Sequence, residues 1–130
     1  MTPVVTPIYA GLLGLFLVFL SVRVIRARRS LRVALGHGDQ PTVERVMRVQ
    51  ANFVEYVPLT LLLVALAEWQ GVAPAVLHLM GLALVIGRLL HAWGVSRAPE
   101  DFRFRTAGMS LTFIAVVTAS VTNLTLAVGL

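Results

Sequence analysis

Four long apolar stretches, separated by short polar ones, follow one another along the chain. A helix rises ~1.5 Å per residue, so about 20 apolar residues cross the ~30 Å hydrocarbon core of a bilayer. We therefore predict four transmembrane helices, with spans at about residues 4–26, 48–70, 74–95 and 105–128. The second helix is expected to begin before its span, with Thr42 as its N-cap, and it contains Pro58, where we expect a kink.

The composition supports a membrane location. Of the 130 residues, 58% are hydrophobic and 13% are charged, whereas soluble domains are about 45–50% apolar and about 25% charged. A soluble domain of this length could not bury so much apolar surface. We predict an all-α integral membrane protein whose residues 1–130 form a single four-helix bundle.

Cysteine is absent, which excludes disulfides and a thiol nucleophile from the protein itself. The histidines lack the spacing of metal ligands, so we expect no metal. The basic residues flank the apolar spans, which favours a role in topology and in binding an anionic small molecule, and we expect no nucleic-acid partner.

All eleven basic residues are arginine, and they gather around the first and third connections. The second connection and both termini carry none. By the positive-inside rule, both arginine-rich connections are expected in the cytoplasm and both termini on the other side.

Polar residues interrupt the second apolar stretch on one side of its predicted helix. Arg48, Asn52, Glu55 and Tyr56 are spaced at i, i+4, i+7 and i+8, which places them on a common face. Ionisable groups in a membrane span are functional candidates. The alternative is structural: Arg48 and Glu55 in an ion-pair network, and Asn52 in a bond between helices.

Eight polar residues from all four predicted helices share one depth near the cytoplasmic ends: Arg28, Arg48, Asn52, Glu55, Tyr56, Arg88, His91 and Arg105. Several arginines with one glutamate suit a ligand that carries carboxylates and an ammonium group.

Four segments carry a resemblance to a known family: VIRARRSLRV at 24–33, RVQANFVEYVPL at 48–59, GRLLHAWG at 87–94 and RTAGM at 105–109. In these segments the chain resembles the MAPEG family, the membrane-associated proteins in eicosanoid and glutathione metabolism. It looks like a bacterial microsomal glutathione S-transferase of that family, and the resemblance extends over essentially the whole chain.

The resemblance implies a homotrimer that binds glutathione between neighbouring subunits, at a site open to the cytoplasm and the bilayer. It assigns glutathione binding to Arg28, Arg48, Gln50, Asn52, Glu55 and Tyr56. His91 falls where relatives often have a tyrosine that contacts glutathione, and we add Arg88 because of its depth. Arg105 matches the catalytic arginine that stabilises the thiolate, with Arg103 as the alternative because the preceding loop is longer than in some relatives.

The expected function is that of a glutathione-dependent transferase or peroxidase in the bacterial inner membrane. Its partners would be membrane lipids and a small hydrophobic electrophile or lipid hydroperoxide. A non-catalytic lipid-binding or scaffold protein of the same fold is the alternative, because the family includes such a member. A small multidrug transporter is disfavoured, because Glu55 lies among arginines that would repel a cation.

Overall fold

Four α-helices make up most of the computed structural model, which describes residues 2–129. The helices are α1 (Val5–Ser30), α2 (Pro41–Trp69), α3 (Pro74–Ser96) and α4 (Phe102–Ala127). Each is long and apolar enough to cross a membrane, and residues 2–129 contain no strand. The predicted all-α architecture with four long apolar helices is confirmed.

The helix ends differ from the expected spans at the polar connections. α1 continues to Ser30, and α4 begins at Phe102, before Arg105, because a helix does not have to end where the hydrocarbon ends. The prediction of Thr42 as an N-cap is wrong: Gln40 is the cap and Pro41 is the first helical residue. Proline suits that position, since its φ is already helical and the N–H it lacks would have no partner there.

The helices form a bundle in which α2 and α3 pack together and α1 and α4 flank them. α1 and α4 each contact both α2 and α3, whereas no Cα atoms of α1 and α4 within residues 2–129 approach to 8 Å. The buried side chains form two clusters, one around Phe53 and Leu84 and the other around Tyr9 and Leu77. Many large apolar side chains outside these clusters, such as Leu15 and Leu124, are exposed on the outer surface, as lipid contact requires.

Successive helices run in opposite directions, so the connections alternate between the two ends of the bundle. At one end, backbone N–H groups of Val4 and Val5 bond Glu68. At the other, Arg45 bonds the carbonyl of Val95. We call the end with connections 31–40 and 97–101 the arginine end, and the end with connection 70–73, the beginning of α1 and the end of α4 the terminal end.

Glycines bring α3 and α4 into close contact near the arginine end. A Cβ atom at Gly108 would lie 2.6 Å from the carbonyl oxygen of Gly87 and would also overlap the backbone nitrogen of His91. A Cβ at Gly87 would lie 2.8 Å from the carbonyl oxygen of Gly108. Small residues permit this close helix contact, and the contact places the start of α4 beside His91.

Candidate functional site

A cavity of about 480 Å³ opens at the arginine end, between α2, the last turns of α3 and the beginning of α4. This volume is within the usual range of small-molecule sites. The residues that line it are Pro41, Glu44, Arg45, Arg48, Ala51, Asn52, Glu55, His91, Val95, Glu100 and Arg105. Five of the nine predicted site residues are therefore in its wall: Arg48, Asn52, Glu55, His91 and Arg105.

One face of α2 supplies much of the polar wall. Arg48, Asn52 and Glu55 are all in the cavity lining, as their helical spacing predicted. Arg48 and Glu55 are exposed, and within residues 2–129 neither side chain has an ion pair or hydrogen bond. Both charges are therefore free to contact a ligand. Ala51 is a small residue on this face and leaves room beside them.

Arg88 lies behind the cavity wall, with only 2% of its surface exposed. Its Nε and Nη2 atoms donate to Thr112 Oγ1 at 3.0 and 2.7 Å, and Nη1 donates to Asn52 Oδ1 at 2.5 Å. A guanidinium has donors and no acceptor atom, so Asn52 must turn its Oδ1 atom, and not its Nδ2 group, towards Arg88. The Nδ2 group of Asn52 is then left to donate elsewhere, and Asn52 lines the cavity.

Tyr56 also lies outside the cavity lining. Its ring centroid is 5.9 Å from the Arg88 guanidinium carbon and 5.5 Å from the Phe113 ring centroid. The contact with Arg88 is a cation–π geometry. Tyr56 and Arg88 therefore support the wall from behind in the described chain.

Two further predicted residues, Arg28 and Gln50, contact the interface between α1 and α2 instead. Gln50 donates to Ser21 Oγ at 2.7 Å, and Arg28 donates to the carbonyl of Ala34 at 3.3 Å and to Met47 Sδ at 3.4 Å. Gln50 is two residues, or ~200° of helical rotation, from Arg48. It thus lies across the helix from the cavity of its own chain.

Arg105 and Arg103 are also separated by ~200° of rotation, and only Arg105 lines the cavity. Asp101 fixes this register, because its carboxylate accepts from the backbone N–H of Arg103 at 3.1 Å and caps α4. The structure thus places Arg105 with the other cavity residues, whereas the sequence left both arginines open.

Sequence reasoning missed Glu100 and Arg45. A Glu100 oxygen lies 2.7 Å from Arg105 Nη1 and the other lies 3.3 Å from Arg45 Nη1. In the sequence, connection 97–101 is only one of the polar stretches that separate the apolar ones. For the pair of Glu100 and Arg105, the one local signal is that the two residues are only five positions apart. For the pair of Glu100 and Arg45 the sequence gives no signal, because they are 55 residues apart.

The comparisons with known proteins agree with this architecture. The MAPEG family model matches residues 6–125. The chain is 35% identical over 120 residues to the inner membrane protein YecN of Escherichia coli K12, covering 92% of this chain and 90% of that protein. It is 40% identical over 95 residues to leukotriene C4 synthase of Cavia porcellus, covering 68% of this chain and 60% of that enzyme. With four helices able to span a membrane and a match over most of its length, the chain belongs to the MAPEG family of membrane proteins.

Proposed function

We propose that this protein is a glutathione-dependent transferase or peroxidase of the bacterial inner membrane. The observation that carries the proposal is the cavity, where Arg48, Arg105 and Glu55 place charges of both signs around one space. Family membership and the likeness to leukotriene C4 synthase support a glutathione-related membrane function. The likeness to YecN, named as an inner membrane protein, supports the location.

The charges of the cavity match those of glutathione, which carries two carboxylates, one ammonium group and one thiol. Arginines bind carboxylates through charge-assisted hydrogen bonds, and Glu55 is available for the ammonium group. In this proposal Arg48 holds a carboxylate, Asn52 donates its Nδ2–H to the ligand, and Arg105 faces the thiol. His91 closes the α3 side.

Arg105 would stabilise the thiolate form of the bound cosubstrate. A free thiol with a pKa near ~8.5 is only a few per cent ionised at neutral pH, and half ionisation requires about 2 kcal/mol. A guanidinium in a partly dry site is sufficient for a stabilisation of this size. The thiolate sulfur would then attack an electrophilic carbon and displace its leaving group. With a lipid hydroperoxide it would attack the terminal peroxide oxygen, which breaks the O–O bond and releases the lipid alcohol after protonation. The glutathione sulfenic acid formed would react with a second glutathione to give the disulfide and water.

The proposed assembly is a homotrimer with glutathione between subunits. One face of α2 is exposed along its whole length, through Glu44, Arg48, Ala51, Glu55, Leu59, Leu62 and Leu66. Charged groups facing lipid are costly, so Arg48 and Glu55 favour cover by another subunit. Arg28 and Gln50, remote from their own cavity, would then reach the ligand from the neighbouring copy.

The proposed orientation places the arginine end in the cytoplasm, following the positive-inside rule. Glutathione would then enter from the cytoplasm and a hydrophobic second substrate from the bilayer. The thiol of bound glutathione and the electrophile dissolved in the membrane would meet at the mouth of the cavity, where catalysis would depend on positioning and electrostatics.

Glutathione binding by the purified protein in detergent tests this proposal. A ligand that binds only the folded state raises its stability by RT ln(1 + [L]/Kd), so glutathione should raise the unfolding temperature in a dose-dependent manner. Arg48→Ala and Glu55→Ala should lose most of this shift. Arg26→Ala is the matched control, since Arg26 is an exposed arginine on α1 outside the cavity lining.

A well-folded protein that millimolar glutathione does not stabilise would contradict the proposal and favour the lipid-binding alternative. Binding that persists unchanged in both cavity variants would contradict the assigned site.

A further inference from the structure

Glu100 connects two helices across the mouth of the cavity, and we propose that it is the positioning residue for Arg105. The inference rests on the proposed function, because it concerns how the thiolate-stabilising arginine is held. Glu100 belongs to connection 97–101, between α3 and α4. It therefore acts from a segment that the helical motifs do not include.

One carboxylate holds both arginines. Oε2 of Glu100 is 2.7 Å from Nη1 of Arg105 on α4, and Oε1 is 3.3 Å from Nη1 of Arg45 on α2. The Glu100 side chain is 20% exposed, whereas that of Arg105 is 47% exposed. The more buried group thus anchors the more exposed one, which without Glu100 would be free to extend into water.

The backbone around Glu100 is itself anchored to the end of α3. The N–H of Asp101 donates to the carbonyl of Gly94 at 3.1 Å. A Cβ at Gly94 would lie 2.8 Å from the carbonyl oxygen of Asp101, so this close approach requires glycine. Arg45 also donates to the carbonyl of Val95 at 3.3 Å. The second arginine that binds Glu100 is therefore fixed to the same last turn of α3.

The bridge leaves Arg105 able to bind a ligand. A guanidinium has five N–H donors in a fixed planar arrangement. Within residues 2–129, Arg105 binds Glu100 through its Nη1 group alone. The remaining donors are available to a thiolate. Glu100 thus restricts where the guanidinium lies without using up its hydrogen-bonding capacity.

Glu100 has a second, opposing effect, because its negative charge disfavours a thiolate nearby. Substitution by alanine removes both the tether and the charge, whereas glutamine retains an oxygen that accepts from Arg105 and removes only the charge. The other charged or titratable groups that line the cavity are Glu44, Arg45, Arg48 and Glu55 on α2 and His91 on α3. They are common to all variants, so a difference between variants reports on Glu100.

The test is the ionisation of the bound glutathione thiol, followed through the ultraviolet absorbance of the thiolate as a function of pH in the full-length protein in detergent. Glu100→Ala should raise the pKa of the bound thiol by ~0.5–1 unit, which lowers the ratio of thiolate to thiol at a given pH by ~3- to 10-fold. Glutathione affinity should change less than this. Glu100→Gln should leave the pKa at or below that of the wild type. Glu100→Ser repeats the truncation if the alanine variant does not fold.

Asp101→Asn is the matched control. It removes the same charge one residue away, and asparagine caps a helix as well as aspartate does, so the thiol pKa should stay at its wild-type value. A wild-type pKa in the truncated variants would overturn the positioning role alone. Equal impairment of the glutamine and alanine variants would also overturn it. A wild-type protein that binds no glutathione would overturn the proposed function, and the inference with it.

Discussion

At the scale of single residues, Arg88 shows how a buried charge shapes the wall of the cavity. Its guanidinium has only neutral side-chain acceptors within residues 2–129, namely Thr112, Asn52 and Met109. A buried charge without a counter-ion costs free energy, and these hydrogen bonds and the Tyr56 ring offset part of that cost. Because Arg88 donates to Asn52 Oδ1, the amide of Asn52 has one fixed orientation towards the cavity.

Arg88→Met tests this role, because methionine removes the donors and the charge and keeps the side chain long and unbranched. Without the bond from Arg88, the Asn52 amide can rotate, and we expect glutathione affinity to fall by about tenfold, or ~1.4 kcal/mol. Titration calorimetry on the purified protein measures it.

A double-mutant cycle provides the control for that experiment. If Arg88 acts through Asn52, then Asn52→Ala should cost little further affinity in the Arg88→Met background. Additive losses would show that the two side chains act independently and would contradict the positioning role of Arg88.

At the scale of helices, α2 caps the beginning of α1. The carboxylate of Glu68, near the end of α2, accepts from the N–H groups of Val4, Val5 and Thr6 at 2.6, 2.6 and 2.7 Å. These groups have no partner within their own helix, and the N-terminus of a helix favours negative charge. Since α1 has no capping side chain of its own at Val4, the cap comes from a residue more than sixty positions away.

Glu68→Ala should therefore lower the free energy of unfolding by ~1–2 kcal/mol, the usual effect of removing a helix cap. Glu68→Gln should lose less, because its amide oxygen still accepts a hydrogen bond. Thermal unfolding in detergent, with the same protein-to-detergent ratio for each variant, measures the difference. Equal stability of all three proteins would show that the cap contributes nothing measurable.

The contact between α3 and α4 depends on Gly108 in the same way. A methyl group there would meet the backbone of His91 and Gly87, and backbone atoms cannot move aside as a flexible side chain can. Gly108→Ala should destabilise the protein by ~1–3 kcal/mol and weaken glutathione binding by displacing His91.

Two glycines on α1 supply the control for Gly108. A Cβ at Gly11 or Gly14 would meet nothing within 4 Å, so alanine at either position should be tolerated within the subunit and should raise helix propensity. Destabilisation by all three substitutions alike would argue against the close-contact explanation.

At the scale of the whole molecule, the exposed face of α2 is the feature that a single chain leaves unexplained. The half of this face near the terminal end is apolar, with Leu59 54% and Leu62 55% exposed, and lipid alone could cover it. Its half near the arginine end carries Arg48 and Glu55, which lipid covers poorly. The combination favours the proposed homotrimer, with this face turned towards the other subunits.

Leu62→Trp should therefore reduce the fraction of trimer, because the larger indole would overpack an interface that is built around leucine. Native mass spectrometry from detergent counts the subunits directly. Leu124→Trp is the control, since Leu124 is 66% exposed on α4, away from the α2 face, and tryptophan there should leave assembly unchanged. Unaltered trimers in Leu62→Trp would place the interface elsewhere, and a monomeric wild type would contradict the assembly.

The sequence by itself determined the four helices, their approximate ends and the membrane environment. A hydrophobic run of this length forms a helix in a bilayer, because only a helix satisfies every backbone hydrogen bond within the run itself. It also determined the polar face of α2, since Arg48, Asn52 and Glu55 follow from helical periodicity alone. The family resemblance added the assignment of these residues to glutathione, which remains a proposal.

The tertiary structure decided which polar groups share a space. It placed Arg88 and Tyr56 behind the wall, chose Arg105 over Arg103 for the cavity lining, and brought Glu100 between two arginines. Contacts of this kind join residues far apart along the chain, as between Glu100 and Arg45 or between Glu68 and Val4. Local periodicity carries no information about them, because they depend on how the helices pack and on the path of a short connection.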